Sequence, residues 1–207
     1  MIKVILMAVG PIQGNCYLVY DEETRECMVI DPGDEGARIV KEIKKNSLNV
    51  KYIVNTHGHS DHISANLEVK EATGAELMIH EEDAPMLTDG AKNLSVFMGR
   101  NINRPAPDRL LKDGDELQVG NAKFKVLHTP GHTRGGICLV GDNICFTGDT
   151  LFEFSIGRTD LPGGSFSQII NSIKKKLLTL DDEVIVFPGH GSHTTIGRER
   201  ASNPFLR

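Results

Sequence analysis

The 207-residue chain has four cysteines, and no two of them form a Cys-x-x-Cys pair. Cys16, Cys27, Cys138 and Cys145 lie far apart, three of them inside apolar β-like runs. They read as buried free thiols in a reducing compartment, not as a redox motif or a disulfide framework. The chain also lacks any surplus of positive charge: 23 Lys and Arg stand against 28 Asp and Glu, a net charge of −5. Nucleic acid is left without an electrostatic footprint. No apolar run reaches the length of a membrane span. The N-terminal MIKVILMAVG is about as long as a short signal-peptide core, but it has no small-residue cleavage site and runs into more strand-like sequence. It reads as a first β-strand. A cytoplasmic protein with neither a nucleic-acid nor a membrane partner is the expectation. Linkers, low-complexity tracts and long charge runs are missing too, so residues 1–207 are expected to form one domain.

What is present is a mixed α/β pattern. Strands are expected around 2–7, 15–20 and 26–30, then a helix over EGARIVKEIKKN and a strand at KYIVN. SANLEVKEATG reads as a helix ending at Gly74, ELMIH as a strand, EEDAPML as a helical turn, and 89–109 as a long loop. Two hairpins follow, around Gly120-Asn121 and Asp142-Asn143. SFSQIINSIKKKLLTL is the clearest amphipathic helix, and EVIVF a buried strand after it. CYLVYD…CMVIDPGD is faintly echoed by ICLVGDNICFTGD, each a hairpin closing on an aspartate, Asp31 or Asp149. If the echo is real, two similar halves would pack sheet to sheet.

The eight histidines are not scattered. KYIVN runs into THGHSDH, which carries His57, His59, Asp61 and His62. FKVLHT runs into PGHT with His132, NICFTGDT closes on Asp149, and EVIVF runs into PGHG with His190. Each time an apolar strand ends, Gly or Pro-Gly breaks it, and a polar side chain is launched from the loop. Loops at one edge of a sheet can converge on one point. His57 and His59 are two apart, so on an extended segment they point to the same side, while Asp61 and His62 come after the turn. Crowding four such groups without a cation costs desolvation and mutual repulsion. Seven candidate ligands exceed what one tetrahedral ion uses, and suit two ions sharing a carboxylate. Asp149 is the natural bridge, since a carboxylate has two oxygens and an imidazole one free lone pair. His80 and His128 read as supporting or structural, and His193 as bordering the pocket.

THGHSDH, PGHT, TGDT and PGHG, in that order over essentially the whole chain, resemble the metallo-β-lactamase superfamily. The resemblance implies an αββα sandwich with metals at the edge where the two sheets meet. It implies His57, His59 and His132 on one metal, Asp61, His62 and His190 on the other, and Asp149 bridging. TGDTLF followed by SIGRTDLPGG is most similar to the glyoxalase II-like hydrolases, which cleave hydroxyacylglutathione thioesters. Persulfide dioxygenases, which are mononuclear iron enzymes, resemble the chain nearly as well. Two departures from glyoxalase II stand out: the chain ends soon after His190, leaving no room for that family's helical C-terminal domain, and Asp160 occupies the place of an aromatic that meets glutathione. Arg158 keeps the basic position in that loop and is the candidate substrate-binding residue. Its competing reading is a local ion pair with Asp160.

The expected chemistry is thioester hydrolysis. Two divalent ions, zinc with iron or manganese as alternatives, would bring a shared water's pKa down towards ~7 and polarise the carbonyl. Asp61, besides binding metal, would orient the resulting bridging hydroxide. The thiolate, with a pKa near ~8.5, leaves without a strong acid. The rival is a single Fe(II) on His57, His132 and Asp149 serving a dioxygenase.

Overall fold

The computed structural model describes residues 1–102 and 105–207, position 98 by its backbone. One six-stranded sheet runs in the order β1 (Ile2–Val9), β2 (Gly14–Asp21), β3 (Glu26–Ile30), β4 (Asn49–Val54), β5 (Glu76–His80), β6 (Arg109–Leu111). Its first three strands pair antiparallel and the remainder parallel. Parallel neighbours need a crossover, and here helices supply it: α1 (Gly36–Lys45) before β4, then α2 (Ser60–Ile63) and α3 (Asn66–Thr73) before β5. The second sheet comprises β7 (Glu116–Val119), β8 (Ala122–His128), β9 (Ile137–Gly141), β10 (Ile144–Gly148), β13 (Ile185–Pro188) and β14 (Thr194–Thr195). A small hairpin, β11 (Leu151–Phe152) with β12 (Ser155–Ile156), and α4 (Phe166–Ser172) fall between β10 and β13, and α5 (Ile196–Ser202) follows β14.

The alternation of side chains explains how the sheets stack. On β2 and β3, Tyr17, Val19, Met28 and Ile30 face Phe124, Leu139 and Phe146 of the other sheet in one buried layer. Their neighbours Cys16, Leu18, Cys27 and Val29 turn the opposite way, onto Ile39 and Ile43 of α1 and Val69 of α3. Cys138 and Cys145 do the same on the second sheet, towards Ile169 of α4 and Ile196 of α5. Strands buried on both faces must be apolar at every position, which is why CYLVY, CMVI and ICF are unbroken apolar runs. The layers are helix, sheet, sheet, helix: the expected αββα sandwich. All four cysteines, not three, sit in strands, and all four are buried and free.

Most expected elements are found within a residue or two. Gly74 ends α3 in the left-handed conformation a C-terminal glycine favours. Asp142 and Asn143 both take positive φ, as a two-residue hairpin turn of the primed type requires. The 89–109 loop contains one 3₁₀ turn at Ser95–Met98, and its positions 103 and 104 lie outside the described residues. One helix departs from expectation: after α4 the chain widens into a π turn over Ile173–Leu177. Its buried residues Ile169, Ile173 and Leu177 recur every four positions. A strict 3.6-residue α-helix would rotate them progressively off the sheet, and a wider turn brings them back. The sequence echo has a structural counterpart. The β2–β3 hairpin lies beside parallel β4, and the β9–β10 hairpin beside parallel β13.

Candidate metal centre

β8 and β10 both run antiparallel to β9, and β13 runs parallel to β10, so β8, β10 and β13 all end at the same edge of the second sheet. From that edge come His132, Asp149 and His190. β4 ends at the facing edge of the first sheet and delivers His57, His59, Asp61 and His62 from one loop and the short helix α2. All seven residues meet there. His57, His59 and His132 bring ligand atoms within 4.8 Å of one another, and so do Asp61, His62 and His190. Asp149 lies between the two groups: Oδ1 is 3.6 Å from His62 Nε2, while Oδ2 is 3.5 Å from His132 Nε2 and 3.8 Å from His190 Nε2.

Close approach here depends on two glycines. A side chain at Gly189 would occupy the space of the Asp149 carboxylate, and one at Gly157 would strike the Asp149 carbonyl oxygen. Both positions must stay without a Cβ for Asp149 to reach the histidines.

The hydrogen bonds fix how the rings present themselves. Thr56 has one hydroxyl hydrogen, and it is donated to Asp31 Oδ2 at 2.6 Å. Thr56 Oγ1, 3.1 Å from His57 Nδ1, must then accept from the ring. His57 Nε2 is left with a lone pair, buried, and it meets no hydrogen-bond partner among the described residues; Asp149 Oδ1 is likewise without one. His62 Nδ1 donates to Asp31 Oδ2 at 3.0 Å, and His132 Nδ1 to the Arg158 carbonyl at 2.8 Å. These rings too aim their Nε2 lone pairs inward. Orienting histidines through the remote nitrogen is how metal sites are built. A buried lone pair and a buried carboxylate oxygen with nothing to bind fit a divalent cation.

The electrostatics point the same way. Burial, with His62 and His132 close by, pushes the His57 pKa well below its ordinary value. Burial and His132 push His59 down to about 3. Neither ring takes up a second proton at neutral pH, so each keeps one nitrogen lone pair to offer. Burial works against the charge on Asp61, yet His62 and His190 beside it hold its carboxyl far below the usual carboxylate range. Burial also opposes charge on His62, but Asp61, Asp149 and Asp31 together raise its pKa. Positive charge is demanded where the three carboxylates converge.

Asp31 is grouped with His57 and His62 by distance alone. Its oxygens are already taken by the Thr56 amide at 2.7 Å, the Thr56 hydroxyl and His62, so it holds ligands in place. Three further supports carried no sequence signal. Asp83, buried, accepts from the Gly58 and Gly135 amides and the Thr133 hydroxyl. Asn15 Nδ2 donates to the carbonyls of Pro188 and Gly191, and Tyr17 donates to that of Pro188 at 2.5 Å, fixing the His190 turn. Asp31 alone could have been suspected, as the partner of Asp149 in the hairpin echo.

His80 and His128 stack on each other at 4.0 Å and belong to neither ligand group. His193 rests near Phe187 and does not line the cavity over the candidate ligands. That cavity, of about 550 Å³, opens onto His59, Asp61, His132, Asp149 and His190. Arg158 is on its wall, with both guanidinium contacts to Asp160 at 2.8 Å. Among the described residues no helix is long and apolar enough to cross a membrane.

A family model described as the metallo-beta-lactamase superfamily matches residues 9–190. The chain is 40% identical over 205 residues to hydroxyacylglutathione hydrolase GloC of Haemophilus influenzae, covering 97% of this chain and 96% of that protein. Among solved structures, the B3 metallo-beta-lactamase BLEG-1 superposes with a TM-score of 0.93 at 38% identity, covering 100% of this chain and 99% of that one. The di-iron-bound form of TTHA1623 gives a TM-score of 0.88 at 37% identity, over 98% of this chain and 100% of that one.

Proposed function

The chain belongs to the metallo-β-lactamase superfamily, and from that premise we propose that it is a two-metal hydrolase of small acyl thioesters of the hydroxyacylglutathione kind. The observation that carries this reading is the convergence of His57, His59, Asp61, His62, His132, Asp149 and His190 under an open cavity, with His57 Nε2 and Asp149 Oδ1 buried and without a hydrogen-bond partner among the described residues. The relative named as a hydroxyacylglutathione hydrolase supports the choice of thioester. His57, His59 and His132 would hold one ion, Asp61, His62 and His190 the other, and Asp149 would serve both. Zinc suits this nitrogen-rich set, with iron or manganese as alternatives. Bound divalent ions supply Lewis acidity, making water a better nucleophile at neutral pH and a carbonyl a better electrophile.

The chain's own groups do the rest. Asp61 keeps its carboxylate ionised and partly open to the cavity, so it can accept a hydrogen bond from the attacking water and aim it. Water's oxygen forms the new C–O bond as the C–S bond breaks, and the electron pair leaves on sulfur. One proton from water ends on the thiolate, which needs no strong acid to depart. Arg158, at the cavity wall, would meet an acidic part of the thiol carrier by exchanging its exposed Asp160 partner. The four buried thiols suit a reducing cytoplasm.

The test is release of free thiol from S-D-lactoylglutathione by the zinc-loaded protein, with and without oxygen. Oxygen-independent release supports the reading. Inertness on thioesters, with O₂ consumption by the iron-loaded protein given glutathione persulfide, replaces it with the dioxygenase. Turnover of a cephalosporin alone replaces it with β-lactam hydrolysis.

A further inference from the structure

The cavity over the candidate metal ligands also has an apolar lining that hydrolysis itself does not require. Ile12, Leu94 and Phe97 come to it from two separate loops, and Leu161 and Pro162 from a third. Phe97 is 80% exposed and Ile12 49%, two large apolar side chains left open to water at the mouth of one site. Exposed apolar area gathered around a cleft marks a place where a ligand is received. The 93–97 segment is held there firmly. Asn93 is fully buried, donates to the carbonyls of Met86 and Ile102, and its own carbonyl accepts from the Ser60 amide at 3.0 Å, one residue from His59 and from Asp61. Leu94 is kept at a φ of 69°, a conformation leucine adopts only where its surroundings impose it. Fixed positive charge on the lining is scarce. Among the described residues lining the cavity, the one guanidinium is that of Arg158, already paired with Asp160.

We infer that the acyl half of the substrate is an apolar group of several carbons, aliphatic or aryl, seated against Ile12, Leu94 and Phe97, so that such acyl groups are cleaved in preference to a short hydroxyacyl group. This rests on the thioesterase reading and moves its preferred acyl group from a hydroxyacyl to an apolar one. Each methylene moved from water onto this wall adds about fourfold to kcat/KM, until the chain outgrows the cavity. A hydroxyl laid against Ile12, Leu94 and Phe97 would be desolvated without gaining a hydrogen bond from these three side chains.

The experiment uses the zinc-loaded full chain and one carrier, glutathione, acylated with acetyl, lactoyl, butyryl, hexanoyl, octanoyl and benzoyl groups. The expected result is a rise in kcat/KM from acetyl to hexanoyl by about fourfold per methylene, with hexanoyl ahead of lactoyl by at least about tenfold. Phe97→Ala, a change at an exposed side chain, should flatten the series while leaving the metal content unchanged. Thiol release with a flat or falling series, or a slope that survives both Phe97→Ala and Ile12→Ala, overturns the inference and leaves the thioesterase reading standing. No release from any member overturns that reading instead. In that event calorimetric binding of the free acids still decides: hexanoate tighter than acetate in the wild type but not in Phe97→Ala upholds the apolar wall, and equal affinities overturn it.

Discussion

Asp83 Oδ2 lies 3.1 Å from the backbone nitrogen of Gly58, the residue between His57 and His59. The same carboxylate takes the Thr133 hydroxyl and, through Oδ1, the Gly135 amide, each at 2.7 Å. One buried side chain therefore ties the loop carrying two histidines to the loop carrying His132. Asp83→Ala should weaken the ion held by His57, His59 and His132 by about 10–100-fold, the usual cost of losing a group that positions ligands. The ion held by Asp61, His62 and His190 should be little affected. Competition with a chelator, read as two binding steps, checks this; equal weakening of both steps would mark a general loosening of the fold.

Metal stoichiometry is the second expectation. The protein should take up two equivalents per chain, with the ions about 3.5–4 Å apart. Elemental analysis of a metal-replete preparation that returns one equivalent would refute the dinuclear reading.

Asp149 and His190 should behave differently when removed. Asp149 reaches both ligand groups, and Asp149→Ala should lose both ions and nearly all activity. His190→Ala should mainly lose one ion. Identical metal content in the two variants would show that Asp149 is no bridge.

Tyr17→Phe removes a buried hydrogen bond to the Pro188 carbonyl, which keeps a second donor in Asn15. Because the carbonyl is not orphaned, the cost should stay near that of one net hydrogen bond, about 0.5–1.5 kcal/mol of stability. Urea denaturation measures it. A loss above about 3 kcal/mol would mean the His190 turn hangs on Tyr17 alone.

Arg158→Ala should raise KM with a smaller effect on kcat, the mark of lost ground-state binding. Its pair with Asp160 is exposed at both ends, and such pairs contribute little to stability, so the melting temperature should hardly move. An unchanged KM with a lower melting temperature would make the pair purely structural.

The candidate ligands were legible in the sequence because four apolar strands each run into a loop with glycine or Pro-Gly, and the seven polar side chains those loops launch have one economical explanation. The sandwich was implied by the resemblance and hinted at by the hairpin echo; its physical counterpart, runs such as ICF and CMVI buried on both faces, is seen in the structure. Asp83 was not legible, since its partners are backbone amides some 25 and 52 residues away, which no spacing rule registers. Nor was the π turn after α4, because a four-residue apolar repeat reads as an ordinary amphipathic helix until one asks where Leu177 would point. Arg158 was found by position, but whether a guanidinium faces a ligand or its neighbour two residues on is decided by rotamers. β11 and β12 went unnoticed, each being only two residues long.

The two sheets share the ligands unequally but in the same way. His57 and His59 from the first sheet stand with His132 from the second, and Asp61 and His62 from the first stand with His190 from the second. Every ion bound in this way would add a cross-link between two layers already joined by side-chain packing and by hydrogen bonds such as those of Asn15 and Tyr17 to the Pro188 carbonyl. Metal uptake then becomes a gauge of tertiary assembly: a chain whose sheets have not docked has no complete site to fill. Chelation should act like cutting a pair of rivets, and what it releases first is the seam between the sheets at the edge where they open to substrate.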